Sequence, residues 1–300
     1  MFGGAALYLT NPSWVVKAVG LLASAFGCVG IASNSHTSSH YGTSSRRWVN
    51  EALTFFGYSF CLGLSALFWW NDHNEHHAAP NVRGLDDDFD YAPLFSIDAA
   101  EVARATGVKR WYFENLQPYL LLPAVSLMGF NLQRRGVTAL FGPARNSRGR
   151  WAGRIDITLL VLHVLILLVL PSLYFGPAAV LGFYGLRMLF VGVGLFSILA
   201  PAHFPHGAAI LDQDEASGLS HCELQTVTTI NYVGGPMLRF VTSGLGYQIE
   251  HHLFPEIGHS HYKEMAPVVE RFCKANDLPY RTYRFPRALK ESFRVFMSPK

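Results

Sequence analysis

Residues 157–175 read ITLLVLHVLILLVLPSLYF, a run from Ile157 to Phe175 without one charged side chain. A helix needs about 20 apolar residues to cross the hydrocarbon core of a bilayer, so this run predicts a transmembrane helix. Pro177–Ala200 follows at once, equally apolar, with Arg187 as its only charge. The two together predict a helical hairpin over 157–200. A third span is expected over 14–33, where Trp14–Ala32 is interrupted only by Lys17. Composition agrees: 50% of the 300 residues are hydrophobic and 15% are charged, against about 25% charged in soluble chains. The expected class is an all-α integral membrane protein with few transmembrane helices, interfacial helices, and a cytoplasmic histidine-rich cap over 201–300.

The formal net charge of +3 is mild and gives no reason to expect nucleic acid as a partner. Cys28, Cys61, Cys222 and Cys273 form no CxxC pair, which argues against a disulfide framework and a thiolate metal site. Met1–Pro12 lacks the basic start of a cleavable signal. Lysine and arginine are placed unevenly. Ten lie between His77 and Asp156, ten between His203 and Lys300, and none in the linker around Pro171–Pro177. By the positive-inside rule both basic regions face the cytoplasm and the linker faces out. In the last hundred residues Met265, Val268, Val269 and Phe272 recur at helical spacing, and Asn276-Asp277-Leu278-Pro279 predicts the stop of that helix.

Three short clusters carry the chemistry: His36-Thr37-Ser38-Ser39-His40, His73-Asn74-Glu75-His76-His77, and Gln248-Ile249-Glu250-His251-His252. Neutral imidazole is the commonest side-chain ligand for a transition metal, and seven clustered ones exceed what a single zinc uses. His36 and His40 share a helical face, as do His73, His76 and His77. His76 and His77 diverge by about 100° of helical turn, enough to serve two neighbouring metals. His251 and His252 form the analogous adjacent pair, with Gln248 where the leading histidine of the second cluster sits.

A shared centre requires all clusters on one side of the membrane, with an even number of crossings between them. The interval Tyr41–Asp72 is too short for two crossings, which take about 40 residues. Glu51–Trp70 (EALTFFGYSFCLGLSALFWW) is therefore expected not to span, but to lie in the interface or half-buried under the site, with Trp69 and Trp70 at headgroup depth. Pro118–Phe130 is too short to cross and reads as interfacial or re-entrant. Asn131–Arg154 reads as a basic loop that sets topology, and Asp86, Asp87 and Asp88 as a solvated turn.

HxxxH, HxxHH and QxxHH, in that order and with a hairpin before the last, resemble the membrane fatty acid desaturases. The match runs past the boxes: Phe68-Trp69-Trp70-Asn71 leads into the second, and His77-Ala78-Ala79-Pro80-Asn81 follows it. The third box sits in Gly246-Tyr247-Gln248-Ile249-Glu250-His251-His252-Leu253-Phe254-Pro255. The glutamine form is similar to the front-end and acyl-lipid branches, and the resemblance covers roughly Ser35 to Tyr280. It implies a further ligand after the returning helix, at His203, with His206 as the alternative. Where that family can place an asparagine four residues earlier, this chain has Leu199. Where its first box commonly has Asp, this chain has Thr37. The stretch before His36 has room for about one crossing, so the N-terminal helical hairpin of the family is expected in shortened form.

The implied metal ligands are thus His36, His40, His73, His76, His77, His203, His251 and His252, with Gln248, Glu75 and Glu250 as residues that orient them. Helix surface is the alternative role of both glutamates. His163 reads as a hydrogen-bonded bundle residue, and His221, His259 and His261 as polar or supporting groups. Arg187 either pairs inside the bundle or meets a polar substrate head. The resemblance implies two iron ions, O2 as co-substrate, and removal of hydrogens from two adjacent CH2 groups to leave a cis double bond. An inert C–H bond offers no acidic proton, so acid–base groups alone do not suffice and a redox metal is required. It further implies an acyl lipid or acyl-CoA substrate and a membrane location, in a cell inner membrane or the endoplasmic reticulum, with the site on the cytoplasmic side. No His-Pro-Gly-Gly haem motif occurs, so electrons are expected from a separate ferredoxin or cytochrome b5. A hydroxylase, ketolase or acetylenase on the same di-iron centre is the alternative. A metal transporter or non-catalytic metal-binding membrane protein is the alternative of another class, disfavoured because the spans contain no carboxylate.

Overall fold

The computed structural model describes residues 1–87 and 94–300, so Asp88 of the acidic run lies outside the described residues. In chain order the helices are α1 (Phe2–Thr10), α2 (Trp14–Ser39), α3 (Arg47–Thr54, continued as a π-helical turn Phe55–Leu62), α4 (Ala66–Ala78), α5 (Ala99–Arg104), α6 (Gly107–Asn115), α7 (Gln117–Ser126) and α8 (Met128–Ala139). There follow α9 (Arg150–Val164, continued as a π-helical turn Leu165–Val169), α10 (Leu170–Phe175), α11 (Pro177–His203), α12 (Gln213–Ser217) and α13 (His221–Thr228). After them come β1 (Asn231–Val233), α14 (Pro236–Val241), α15 (Gln248–Leu253), α16 (Tyr262–Ala275), β2 (Thr282–Arg284) and α17 (Phe285–Arg294). Two units divide these elements, residues 1–71 with 124–196 and residues 72–123 with 197–300. Among the described residues three helical stretches are long and apolar enough to cross a membrane: Trp14–Ser39, Arg150–Phe175 and Pro177–His203. The expected all-α membrane fold is what the chain forms.

In the first unit α1 runs back along α2 at contact distance. A Cβ on Gly4 would sit 2.5 Å from the Gly20 carbonyl oxygen and one on Gly20 2.7 Å from that of Gly4, so glycine is what lets the two backbones touch. The nine residues of α1 thus pair with α2 as a hairpin. Arg150–Phe175 and Pro177–His203 are joined through Gly176, whose φ of 84° makes the turn. Only 6% of the apolar window of the first is buried, against 39% for the second, so the first presents its side chains outward. His163 Nδ1 donates to the Phe60 carbonyl at 2.7 Å and its Nε2 meets Tyr184 Oη at 3.0 Å. Arg187 is buried over the Tyr184 and Phe183 rings, at 4.7 and 5.6 Å, so it is held inside the bundle.

The stretch 51–70 is not one helix. It breaks after Leu62, passes Gly63 at φ 64°, and restarts at Ala66 with a bend of 112°. A break in apolar surroundings must satisfy its backbone groups internally, and Asp156 of α9 does so. Its fully buried carboxylate accepts from Ser59 Oγ (2.5 Å), Ser65 Oγ (2.6 Å) and the N–H groups of Ala66 (3.1 Å) and Leu67 (3.3 Å). The rings of Trp69 and Trp70 are inside the protein, 8% and 1% exposed. Their indole N–H groups are the reason, since they donate to Ser39 Oγ (3.2 Å) and the Ser39 carbonyl (2.8 Å).

In the second unit β1 and β2 pair in parallel, Asn231 with Thr282 through Val233 with Arg284. They pack over Ala202, Tyr232 and Ala288, while Ile249, Val269 and Cys273 form a second core under α15. Helix α16 occupies the expected stretch and stops at Asn276, but its buried face is Tyr262, Ala266, Val269 and Cys273. Val268 and Phe272 are exposed. Tyr262 turns the helix this way because its hydroxyl is bonded inside the unit, as described next.

Candidate metal centre

The last two turns of α2 bury a polar run, Ser33 and Ser35 to Ser39, in an otherwise apolar helix. Ser33, Thr37, Ser38 and Ser39 return their hydroxyls to carbonyls three or four residues back, which makes that burial tolerable. His36 and His40 are buried at this end with ring centroids 5.0 Å apart, edge to face, as their spacing of four requires. Trp69 closes against His36 at 5.8 Å.

The second unit brings the remaining predicted histidines together. Helix α4 supplies His73, His76 and His77, the end of α11 supplies His203, and α15 supplies His251 and His252. The ligand nitrogens of His73, His77 and His251 all lie within 4.8 Å of one another, and so do those of His76, His203 and His252. Each adjacent pair is therefore divided, one member to each group, as a turn of about 100° per residue dictates. His73 Nε2 and His77 Nε2 approach to 3.1 Å. Two nitrogens bound to one ion at about 2.1 Å would stand roughly 3.0–3.4 Å apart, so the pair is spaced as co-ligands.

Acceptors at Nδ1 fix the imidazole tautomers. His76 Nδ1 donates to Asp86 Oδ2 at 2.8 Å, and His252 Nδ1 to Gln225 Oε1 at 2.9 Å. His251 Nδ1 donates to Tyr262 Oη at 3.1 Å, and that hydroxyl in turn donates to the Phe254 carbonyl at 3.4 Å. Burial, reinforced by the charge of Glu250, pushes the Tyr262 hydroxyl up, so it stays protonated. With Nδ1–H so engaged, the lone pair sits on Nε2, the atom a metal would take. Gln225 also donates to the His77 carbonyl at 3.0 Å, binding α13 to the end of α4.

Several expectations change here. Asp86 does not belong to a solvated turn; it is buried, and the same oxygen that holds His76 accepts from the Asn81 N–H at 2.7 Å. Glu75 is exposed and orients no imidazole. Glu250 is fully buried but faces away from the ligands, accepting from Tyr280 Oη (2.7 Å) and Asn231 Nδ2 (2.8 Å). Burial pushes its carboxyl above the usual carboxylate range, and those two bonds pull it back. Its place is to anchor α15 from behind. Gln248 does reach the site, its Nε2 standing 3.3 Å from His203 Nε2. His206 is exposed and lies in neither group. Gln225, Tyr262 and Asp86 went unread in the sequence because each is remote from its histidine or hidden in a run of like residues.

The arrangement fits a metal. The donors are imidazoles only, a set suited to iron, zinc, copper or nickel, and all are buried but the half-buried His77. His203 Nδ1 and Gln248 Oε1 are buried without a hydrogen-bond partner, a cost that a bound ion with its further ligands would remove.

Comparison with known proteins agrees with this geometry. The family described as Fatty acid desaturase matches residues 12–284. The chain is 28% identical over 289 residues to a Delta(6)-fatty-acid desaturase of Caenorhabditis elegans, covering 92% of this chain and 62% of that one. It is 26% identical over 299 residues to Fatty acid desaturase 3 of Homo sapiens, covering 96% and 62%. A chloroplastic acyl-lipid (7-3)-desaturase of Chlamydomonas reinhardtii is 30% identical over 257 residues, 76% of this chain and 47% of that one. The chain thus spans between 47% and 62% of the length of these relatives. The family match runs from the first apolar helix to the second strand, through all three histidine clusters, and the chain belongs to the fatty acid desaturase family.

Proposed function

We propose that this chain is an O2-dependent fatty acyl desaturase that places a cis double bond in a lipid acyl chain. His36, His40, His73, His76, His77, His203, His251 and His252 would supply the ligands of two irons, with His73, His77 and His251 serving one and His76, His203 and His252 the other. Bound iron would supply the O2-derived oxidising power that an unactivated C–H bond demands. The chain's own residues do the rest. Asp86, Gln225 and Tyr262 keep three imidazoles in the tautomer that presents Nε2, and Gln248 supports His203. The burial of the imidazoles limits the access of water, and the apolar helices bound the path of the acyl chain. The observation that carries the reading is the division of the adjacent pairs between two groups of converging imidazoles.

The names of the relatives, Delta(6)- and Delta(5)-fatty-acid and acyl-lipid desaturases, support an acyl substrate. The arginine distribution supports a cytoplasmic site, served by a separate ferredoxin or cytochrome b5. The 112° bend supports a segment 51–78 that returns to its starting side without crossing.

Lipid profiling of cells expressing the chain tests the reading. Products should be lighter than substrate by two hydrogens, and should vanish with His251→Ala. Products heavier by one oxygen would make it a hydroxylase. About one zinc and no iron in the purified protein would make it a metal-binding protein without this chemistry.

A further inference from the structure

The carbonyl of His203 ends α11, where the last backbone oxygens of a helix have no acceptor role left inside it. Two side chains from remote parts of the second unit meet at that oxygen. Asn81 Nδ2 donates to it over 3.0 Å and Lys300 Nζ over 2.8 Å. Asn81 stands four residues beyond His77 with φ of 56°, a left-handed conformation that asparagine tolerates better than most side chains. Its backbone N–H is bonded to the Asp86 oxygen that holds His76, and its carboxamide also donates to the carbonyls of Ala209 (3.0 Å) and Thr228 (3.1 Å). Lys300 donates further to the carbonyls of Pro205 (3.2 Å) and Ala208. Three acceptors match the three N–H bonds of an ammonium. Its backbone is clamped as well, its N–H donating to Ile97 O (3.0 Å) and its carbonyl accepting from Ala99 N (2.9 Å).

We infer that Asn81 and Lys300 are positioning residues for His203, fixing the backbone from which its imidazole completes the group with His76 and His252. This rests on the metal-binding reading of that group. Metal–ligand distances hold to about 0.2 Å, so a helix end left to fray cannot keep its last residue as a ligand. Asn81 ties the tail of the second histidine cluster to the same carbonyl, so His76 and His203 are set by one network. The group of His73, His77 and His251 has no ligand on that helix end.

Cobalt(II) titration of the purified full-length chain in detergent tests the inference, with visible absorption and metal analysis as readouts beside thermal unfolding. The parent should take up cobalt in two sites. Lys300→Met keeps the side-chain length without its donors and should weaken one site by about 10–100-fold, the usual effect of losing such a support. The other site should be unchanged. Lys300→Arg, which keeps donors, should recover most of the loss, and Asn81→Asp, which keeps the shape without the N–H donors, should repeat it. A folded Lys300→Met that binds both ions with parental affinity overturns the inference; if that variant does not fold, Asn81→Asp with parental affinity at both sites overturns it equally. A parent that takes up no cobalt removes the metal reading and the inference with it.

Discussion

Asp86 shows how much a single side chain decides at this site. Its carboxylate is wholly buried and serves both His76 and the backbone of Asn81. Aspartate to asparagine is nearly isosteric, yet it replaces a carboxylate acceptor with a weaker one. Asp86→Asn should lower metal affinity by about 10–100-fold, read by competition with a chelator. Glu75→Gln, on an exposed position one residue from His76, should change it by less than about twofold and stability by less than about 0.5 kcal/mol. Equal effects of the two would mean that the Asp86 bond does not tune His76. The ligating histidines were legible because xxxHH spacing forces adjacent rings to diverge. Their supports were not, because Gln225 stands 27 residues from His252 and Tyr262 11 from His251. Glu250 misled for the same reason: sequence adjacency put it beside the ligands, while its helix points it to Tyr280 and Asn231.

At the scale of the element, the break before α4 is held by one buried carboxylate and one glycine. Asp156 receives four donors, so Asp156→Ala takes the carboxylate acceptor from two hydroxyls and the Leu67 N–H and leaves the Ala66 N–H only its 3.3 Å bond to Ser59 Oγ. The loss should be at least about 2 kcal/mol, the upper end for a helix cap, seen as a lowered midpoint in detergent. Gly63→Ala should cost at least about 1 kcal/mol, because it forces a side chain into the left-handed region and sets a Cβ 2.7 Å from His163 Nε2. Parental unfolding midpoints in both variants would refute the account of the bend. The sequence leads to the expectation that 51–70 does not span, since 32 residues are too few for two crossings. It did not disclose the bend itself. Gly63-Leu64-Ser65 lies among apolar residues without proline, and its only signal is a glycine whose φ must be positive. Asp156 adjoins an apolar span and resembles its polar boundary. The face of α16 was read from its largest apolar residues, whereas a hydroxyl bond to His251 chose the face that Tyr262 shares.

For the whole molecule, the class was written in composition, because half the residues are apolar and the charges collect between the apolar runs. The orientation rests on those charges. Arginine on the loop before α9 and none on the linker after α10 predict that Arg150–Phe175 crosses once, with the loop on the cytoplasmic side. Ser147 and Tyr174 mark the two ends, both exposed, Tyr174 by 83%. Of the native cysteines three are buried and only Cys222 is partly exposed, so Cys222→Ser gives a quiet background. In it, Tyr174→Cys should react with a membrane-impermeant maleimide on intact cells, and Ser147→Cys only after permeabilisation. The reverse pattern would turn the protein over and place its basic face outside, away from any cytoplasmic electron carrier. Labelling of both from one side would mean that this helix, for all its apolar length, does not cross, and the hairpin over 157–200 would have to be abandoned.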